Sequence, residues 1–260
     1  MTSLTTPIRL SIVAPAFNEA DGIEQLIHHW HAFLCHQSNI STFEIIICND
    51  GSKDNTGPIL DRLAVQYPEL KPIHFKTNQG AAAALARAIA HTHFEWILLT
   101  DADDQFPIEN LPLLINTMHL SGTLAVLSTR DKKDHWFARF GTKASGLICN
   151  IVHGSRLNDF NSAFKLVYGP IVRQLTLEAK GMNYSTEITS RLLEAKVPLI
   201  EVAVIHQSRQ RGISKLRWFR DSFHRLLFVS YLSLRQLLLK LNILRPTNLD
   251  ENPDYPPRAP

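Results

Sequence analysis

The chain has 260 residues, of which 45% are hydrophobic and 20% charged, and its formal net charge is +3. These values are typical of an ordinary globular protein with one large domain or two small ones. The small net charge gives no indication of a nucleic-acid partner. Cys35, Cys48 and Cys149 lack the spacing of a zinc site or a disulfide framework, so we interpret them as reduced thiols of a cytoplasmic protein.

Neither a signal peptide nor a transmembrane helix is expected. Residues 1–9 contain no apolar core of signal-peptide length. The longest uncharged apolar stretch near the C-terminus is 226–234. That stretch is far shorter than the roughly 20 residues that cross a bilayer.

Apolar runs and segments of helical spacing alternate along the first half of the chain. The predicted strands are 8–14, 43–48, 72–75, 96–100, 124–129 and 199–205. The predicted helices include residues 23–34, 59–63, 80–91, 137–152 and a segment that begins at 184. This alternation predicts an α/β protein with a doubly wound, mostly parallel sheet and right-handed crossovers.

The fourth predicted strand ends in a cluster of acids. Asp101, Asp103 and Asp104 directly follow an apolar run, and Gln105 comes next. Open α/β sheets bind ligands at the carboxyl ends of their strands. A divalent cation would relieve the repulsion between clustered carboxylates, and oxygen ligands suit Mg²⁺ or Mn²⁺. The alternative is an acidic turn that caps the following helix.

Two other predicted strands end in the same way. Asn18 and Glu19 follow the first strand, and Asp50 follows the second. Because the carboxyl ends of parallel strands share one edge of a sheet, we expect these side chains to converge with the acidic cluster. Alternatively, Asn18 caps a helix and Asp50 belongs to a plain turn.

Four segments resemble the successive motifs of family 2 glycosyltransferases of the GT-A fold: 15–19, 49–54, 78–80 and 101–105. The resemblance covers roughly residues 8–220. It is greatest to the branch of dolichyl-phosphate mannosyltransferases and bacterial undecaprenyl-phosphate glycosyltransferases. It implies a Rossmann-like GT-A domain over 1–215. We expect a basic amphipathic helix in 216–245 and a disordered, proline-rich tail over 246–260.

The resemblance also implies which residues bind the nucleotide sugar. Those in the first, second and fourth motifs are Pro15, Ala16, Phe17, Glu19, Asp50, Asp101, Ala102 and Asp103. Among them, Asp50 is expected to bond to the base. Where this chain has Asn49, the family usually has a second acid; Asp50 keeps the acid expected to face the base.

The expected metal site is the DxD pair of the fourth motif. The resemblance implies that Asp101 and Asp103 hold Mg²⁺ or Mn²⁺ together with the diphosphate, and that Gln105 is a further ligand. Asp104 stands where the family commonly has Leu or Gly, which leaves open whether it contacts the metal. A bound cation would stabilise the charge that grows on a departing nucleoside diphosphate.

Basic residues of the second half are expected at the same edge. Arg130 matches a family arginine that contacts the phosphates, and a surface arginine is the alternative. Arg209 and Lys215 stand in a segment that resembles the Arg-x-x-Gly-x-Ser-Lys loop, which closes over the diphosphate. The alternative for this loop is a solvated basic turn.

Residues 157–166 resemble the acceptor segment of the polyprenyl-phosphate branch. The resemblance places Asp159 in the acceptor region and Lys165 near the acceptor phosphate, so these two join Asp103 and Arg130 as expected catalytic residues. A structural Asx turn is the alternative for Asp159. A lipid phosphate is largely ionised near neutral pH and needs no general base, whereas a hydroxyl acceptor would require Asp159 or Glu187.

The expected function is therefore inverting transfer of a sugar from a nucleotide donor to a polyprenyl phosphate. Three alternatives remain open: a family 2 transferase with a hydroxyl acceptor, a metal-dependent sugar nucleotidyltransferase, and a non-catalytic nucleotide-sugar binder. The basic, apolar segment 209–245 favours attachment to the cytoplasmic face of a membrane. Alternatively its helix packs on its own domain or on a second copy, and a membrane subunit brings the acceptor.

Overall fold

A computed structural model describes residues 6–130, 136–179, 181–207 and 218–244. Within these ranges the strands are β1 (Ile8–Ala16), β2 (Ile40–Asn49), β3 (Leu70–His74), β4 (Trp96–Leu99), β5 (Ala125–Arg130), β6 (Lys165–Tyr168) and β7 (Leu199–Val204). The helices are α1 (Ile23–Cys35), α2 (Thr56–Gln66), α3 (Ala81–Ala90), α4 (Leu111–Ser121), α5 (Trp136–His153), α6 (Gly169–Val172), α7 (Tyr184–Glu194) and α8 (Trp218–Lys240). Single 3₁₀ turns precede α4 and α7.

The seven strands form one sheet in the order β3-β2-β1-β4-β6-β5-β7. Strand β6 is antiparallel to both of its neighbours, and the other pairs are parallel. The prediction of a doubly wound, mostly parallel sheet is thus confirmed. Strand β6 has only four residues, too few for its apolar pattern to indicate a direction.

Two hydrophobic cores cover the two faces of the sheet. Alternate residues of β1 point to opposite faces, so Ile12 and Ala14 belong to one core and Val13 to the other. The first core contains α1, α2 and α4, and the second contains α3, α6 and α7. Because both faces are covered, the central strands read as continuous apolar runs.

Parallel pairing brings the motif segments to one edge of the sheet. Ala16 is paired with Asn49, and Val13 with Leu99. The reversed strand β6 begins at this edge, where Lys165 lies between β4 and β5. Residues that follow β1, β2 and β4 therefore meet residues that precede β6.

The C-terminal helix α8 packs against α5 and α7. Val229 and Leu232 are buried in these contacts, whereas Leu234 and Leu237 are 55% and 51% exposed. None of the helices within the described ranges has the length and apolarity needed to cross a membrane. The domain boundary at residue 215 and the disordered tail at 246–260 lie outside the described residues and stay predictions.

Gly51 is expected to be essential for the turn after β2. Its φ is +66°, and a Cβ there would lie 2.5 Å from the carbonyl carbon of Thr77. Gly122 has a similar φ of +64° but nothing within 4 Å of such a Cβ. We expect Gly122→Ala to lower the free energy of unfolding by about 1–2 kcal/mol. Gly51→Ala should lower the free energy of unfolding by about 1–3 kcal/mol more than Gly122→Ala, because the contact of the new Cβ with Thr77 adds to the same backbone strain.

Urea denaturation of the two variants measures this difference. Equal losses of stability would show that the contact between the turn and Thr77 is not the reason for the glycine.

Candidate functional site

The loops that follow β1 and β2 are tied together by hydrogen bonds. The Asn18 amide donates to Ser52 Oγ at 2.8 Å, and Asn18 Oδ1 accepts from the Lys53 amide at 2.8 Å. The Glu19 amide donates to Thr56 Oγ1 at 2.9 Å. Asn18 adopts a left-handed φ of 54° to make these bonds. The suggestion that Asn18 caps α1 is wrong, because its side chain binds the neighbouring loop instead.

Asp50 anchors the loop before α3. Its carboxylate accepts hydrogen bonds from the amides of Gln79 (2.7 Å) and Gly80 (2.9 Å) and from Asn78 Nδ2 (2.8 Å). Asp50 is only 2% exposed. The second and third motifs thus form one unit at the sheet edge, and the expected bond from Asp50 to a base stays a prediction.

The other residues expected around the nucleotide lie beside this unit. Pro15, Phe17 and Glu19 are partly exposed, and Ala16 is buried at the end of β1. Ala102 is buried as well, at the end of β4. These residues therefore share the edge formed by β1, β2 and β4, and their contacts with a ligand stay predictions.

Both polar atoms of the Asn49 side chain have hydrogen-bond partners within the protein. Its Oδ1 accepts from the Ser52 amide at 3.1 Å, and its Nδ2 lies 3.0 Å from His74 Nδ1. His74 Nε2 in turn lies 3.0 Å from Asp61 Oδ1. A neutral amide at position 49 thus links β2 to β3 and α2.

Asp101 has a buried hydroxyl group as its partner. Tyr184, the first residue of α7, donates a hydrogen bond from its hydroxyl to Asp101 Oδ1. Burial raises the pKa of Tyr184 well above its usual value, and the negative charges of Asp101 and Asp103 raise it further. The first carboxylate of the fourth motif is therefore tied to α7. The sequence analysis missed Tyr184, since nothing distinguishes it locally from any tyrosine at a helix start.

The fourth motif offers oxygen atoms at a partly open surface. Asp101, Asp103 and Gln105 are partly exposed, and Asp104 is exposed with a left-handed φ of 58°. Among the described residues, no group of three or more His, Cys, Asp and Glu side chains is arranged to hold a metal. Two carboxylates and an amide suit Mg²⁺ or Mn²⁺ only if phosphate oxygens or water complete the shell.

Arg130, at the end of β5, is held by Asp159. Its Nε donates to Asp159 Oδ2 at 2.7 Å, and its Nη2 donates to Oδ1 at 3.1 Å. The Asp159 side chain is 2% exposed and that of Arg130 is 21% exposed. Asp159 Oδ1 also accepts from the Asn161 amide at 3.0 Å, so the expected Asx turn exists together with the ion pair.

Lys165, the first residue of β6, is buried, with 1% of its surface exposed. Its ammonium group donates to the Ser162 carbonyl and to Ser185 Oγ. Burial lowers the pKa of Lys165 to about 7, against the opposing attraction of Asp159. The ammonium group faces protein oxygens, and its contact with an acceptor phosphate stays a prediction.

Glu187 is engaged inside the protein. It is fully buried, and its carboxylate accepts from the amides of Glu178 and Ala179 and from Arg191 Nη2. These bonds join α7 to the segment before it. A substrate hydroxyl has no access to this carboxylate in the structure.

The chain after β7 contacts the fourth motif. The Gln207 amide donates to the Gln105 carbonyl at 2.9 Å, and Asn110 bonds both main-chain groups of Ile205. Gln207 ends the described range two residues before Arg209. Arg209 and Lys215 lie outside the described residues.

Comparison with known sequences identifies a family. The sequence model described as "Glycosyl transferase family 2" matches residues 11–167. The chain is 26% identical over 220 residues to undecaprenyl-phosphate 4-deoxy-4-formamido-L-arabinose transferase of Edwardsiella ictaluri. This match covers 83% of the chain and 65% of the relative. The bactoprenol glucosyl transferase of Shigella phage SfX is 31% identical over 147 residues, covering 53% of this chain and 48% of that protein.

Solved structures support the fold. Glucosyl-3-phosphoglycerate synthase from Mycobacterium tuberculosis, in complex with Mn²⁺, UDP and glucosyl-3-phosphoglycerate, has a TM-score of 0.64 at 17% identity. The match covers 90% of this chain and 80% of that one. Mannosyl-3-phosphoglycerate synthase from Rubrobacter xylanophilus also has a TM-score of 0.64, at 15% identity, covering 96% and 79%. The expected GT-A fold is thereby confirmed.

Burial of Lys165 predicts a pH dependence of stability. The unfolded chain keeps this lysine protonated up to about pH 10, whereas the folded pKa is about 7. The unfolded state therefore binds more protons above pH 7, and stability rises with pH. Between pH 7 and about pH 8.5, where cysteines begin to ionise, we expect a rise of about 1–2 kcal/mol that Lys165→Met lacks.

Urea denaturation at both pH values measures this effect. Lys76→Met, which removes an exposed lysine, is the control and should keep the slope of the native chain. The same slope in Lys165→Met would show that Lys165 is charged in the folded state.

Proposed function

This chain belongs to glycosyl transferase family 2, and from that premise we propose that it transfers a sugar from a nucleotide-sugar donor to a polyprenyl phosphate, with inversion. The relatives described above are named for undecaprenyl phosphate and bactoprenol, and a further relative is a dolichyl-phosphate glucosyltransferase from Trichomonas vaginalis. The partly exposed carboxylates of Asp101 and Asp103 on the loop after β4 carry the proposal.

The donor is proposed to bind along the edge formed by β1, β2 and β4. The first motif would line the nucleotide pocket, and Asp50 would act on the base directly or through the loop that it anchors. The buried hydrogen bonds of Asp50 support a preformed pocket, because they fix the loop before any ligand arrives.

Asp101, Asp103 and Gln105 are proposed to hold Mg²⁺ or Mn²⁺, as the partly exposed oxygens of the fourth motif fit such a cation. When bound, the cation would supply positive charge to the leaving diphosphate. Arg130 is proposed to bind the phosphate oxygens on the other side. Asp159 supports this role, since its two bonds fix the orientation of the guanidinium group. Arg209 and Lys215 are proposed to add further positive charge.

The ion pairing of Asp159 and the burial of Glu187 favour a phosphate acceptor over a hydroxyl acceptor. A hydroxyl acceptor needs a general base within hydrogen-bond reach. Of the two candidate bases, Asp159 is paired with Arg130 and Glu187 is fully buried. A lipid phosphate is already ionised and needs only to be positioned. Lys165 is proposed to lie near the acceptor phosphate, and Asp159 to shape the acceptor side.

Attachment to the cytoplasmic face of a membrane is proposed for the C-terminal region. The exposed leucines at 234 and 237 of α8 and at 241, directly after it, support this proposal. Lys240 and Arg245 are close to them in the sequence and suit an anionic surface, whereas Arg235 is paired with Glu194. A domain attached in this way would meet its lipid acceptor at the membrane surface. A second copy or a membrane subunit that covers α8 is the alternative partner.

Asp103→Asn is expected to lower sugar transfer by about 100-fold or more, because it removes one of the two carboxylates that are proposed to hold the cation. Nucleoside diphosphate release from a panel of nucleotide sugars with Mn²⁺ measures the rate. Asp104→Asn is the matched control: it removes the same charge from the same loop, and asparagine tolerates the left-handed φ of 58° there.

The control variant should keep its rate within about fivefold of the native chain, since a surface charge interacts weakly through water. Native rates in Asp103→Asn would contradict the assignment of Asp103, whereas equal losses in both variants would show that Asp104 contributes to the cation site as well. Circular dichroism of both variants establishes that the fold is intact.

Transfer to undecaprenyl phosphate in anionic vesicles is expected to give a sugar phosphodiester that mild acid cleaves. The same vesicles with undecaprenol should give no product. We expect slower transfer in neutral vesicles, because the basic surface then loses its attraction. Transfer to undecaprenol alone would indicate a hydroxyl acceptor, and release of pyrophosphate would indicate a nucleotidyltransferase.

A further inference from the structure

The first turn of α7 contacts two separate segments of the proposed active site, one after β4 and one at the start of β6. The Tyr184 hydroxyl donates to Asp101 Oδ1 after β4. Ser185 Oγ donates to the Ser162 carbonyl and accepts from Lys165. These are successive residues on α7, and their partners come from the loop after β4 and from the start of β6.

The third contact of this turn reaches the Arg130–Asp159 pair. Thr186 Oγ1 donates to Asn161 Oδ1 at 2.6 Å. The Asn161 amide donates to Asp159 Oδ1 at 3.0 Å. One helical turn is therefore connected to the carboxylate of Asp101 and, through Asn161, to the ion pair that holds Arg130.

The turn itself has little freedom to move. Tyr184, Ser185 and Thr186 are each 3–4% exposed. Glu187, the next residue, is fully buried and binds the main chain of residues 178 and 179. A carboxylate that accepts a hydrogen bond from such a turn is restricted in its rotation about the Cβ–Cγ bond.

We propose that Tyr184 is a positioning residue, which orients the Asp101 carboxylate so that Asp101 and Asp103 together bind a divalent cation. This inference rests on the proposed metal-dependent transfer. Tyr184 does not touch the substrate; it acts through Asp101. Hydrogen-bond partners of metal ligands typically contribute 10- to 100-fold to metal affinity, because they fix the ligand in its binding orientation.

Tyr184→Phe is therefore expected to weaken Mn²⁺ binding by at least about tenfold. Electron paramagnetic resonance of free Mn²⁺, with UDP present as a probe, measures the dissociation constant without any turnover. In the transfer assay, the Mn²⁺ concentration at half-maximal rate should rise by the same factor. The rate at saturating Mn²⁺ should return to near the native value, which a general structural defect would not permit.

Tyr231→Phe is the matched control. Tyr231 lies on α8, and its hydroxyl also donates to a carboxylate, that of Glu178. The control removes the same kind of bond away from the fourth motif, so its Mn²⁺ affinity should be unchanged. Urea denaturation of both variants separates a loss of stability from a loss of affinity.

The outcomes distinguish this inference from the function on which it rests. Equal Mn²⁺ affinity in Tyr184→Phe and the native chain would overturn the positioning role and leave the metal assignment intact. A native chain whose Mn²⁺ binding is absent, or unchanged in Asp103→Asn, would overturn both. Weaker binding in both tyrosine variants would also overturn the positioning role, because the effect would not be specific to Asp101.

Discussion

The parallel pairing of β1 with β2 and β4 is the constraint on which the site depends. It brings the ends of three strands together and with them acids that are distant in sequence. Like charges at one edge of the sheet repel each other, and in the structure each of these acids has a hydrogen-bond partner of its own. Asp50 binds a loop of amides, Asp159 binds Arg130, and Asp101 binds a tyrosine. The acids therefore hold neighbouring segments in place in addition to supplying negative charge at this edge.

Much of this arrangement could be predicted because it is local in sequence. Buried strands are continuous apolar runs, and a polar residue after each run indicates its end. The contacts that orient the side chains are not local. Tyr184 and Asp101 are 83 positions apart, and Arg130 and Asp159 are 29 apart. No periodicity encodes such pairs, and the burial of Lys165 follows from the reversed strand β6, which was not predicted.

For helix α8, the sequence pattern predicts the helix but does not show which of its apolar residues pack on the domain. Its apolar residues recur at helical spacing, which fits both packing on the domain and lying on a membrane. In the structure Val229 packs with Cys149 of α5 and Leu193 of α7, and Leu232 is buried. Leu234 and Leu237 are exposed. Part of the apolar surface of α8 is therefore not covered by its own domain. The spacing of the apolar residues alone does not show which of them are buried and which are exposed.

The reversed direction of β6 divides the edge of the sheet by chain order. Segments before residue 106 supply the proposed nucleotide pocket and cation site, and segments after residue 124 supply the proposed acceptor side together with Arg130. The loop of residues 154–164 lies outside the register of β1, β2 and β4, yet in this loop Asp159 binds Arg130 and Asn161 binds Thr186 of α7. A change in this loop would therefore leave the parallel sheet intact and still act on the proposed donor side, so donor and acceptor preference are expected to change together.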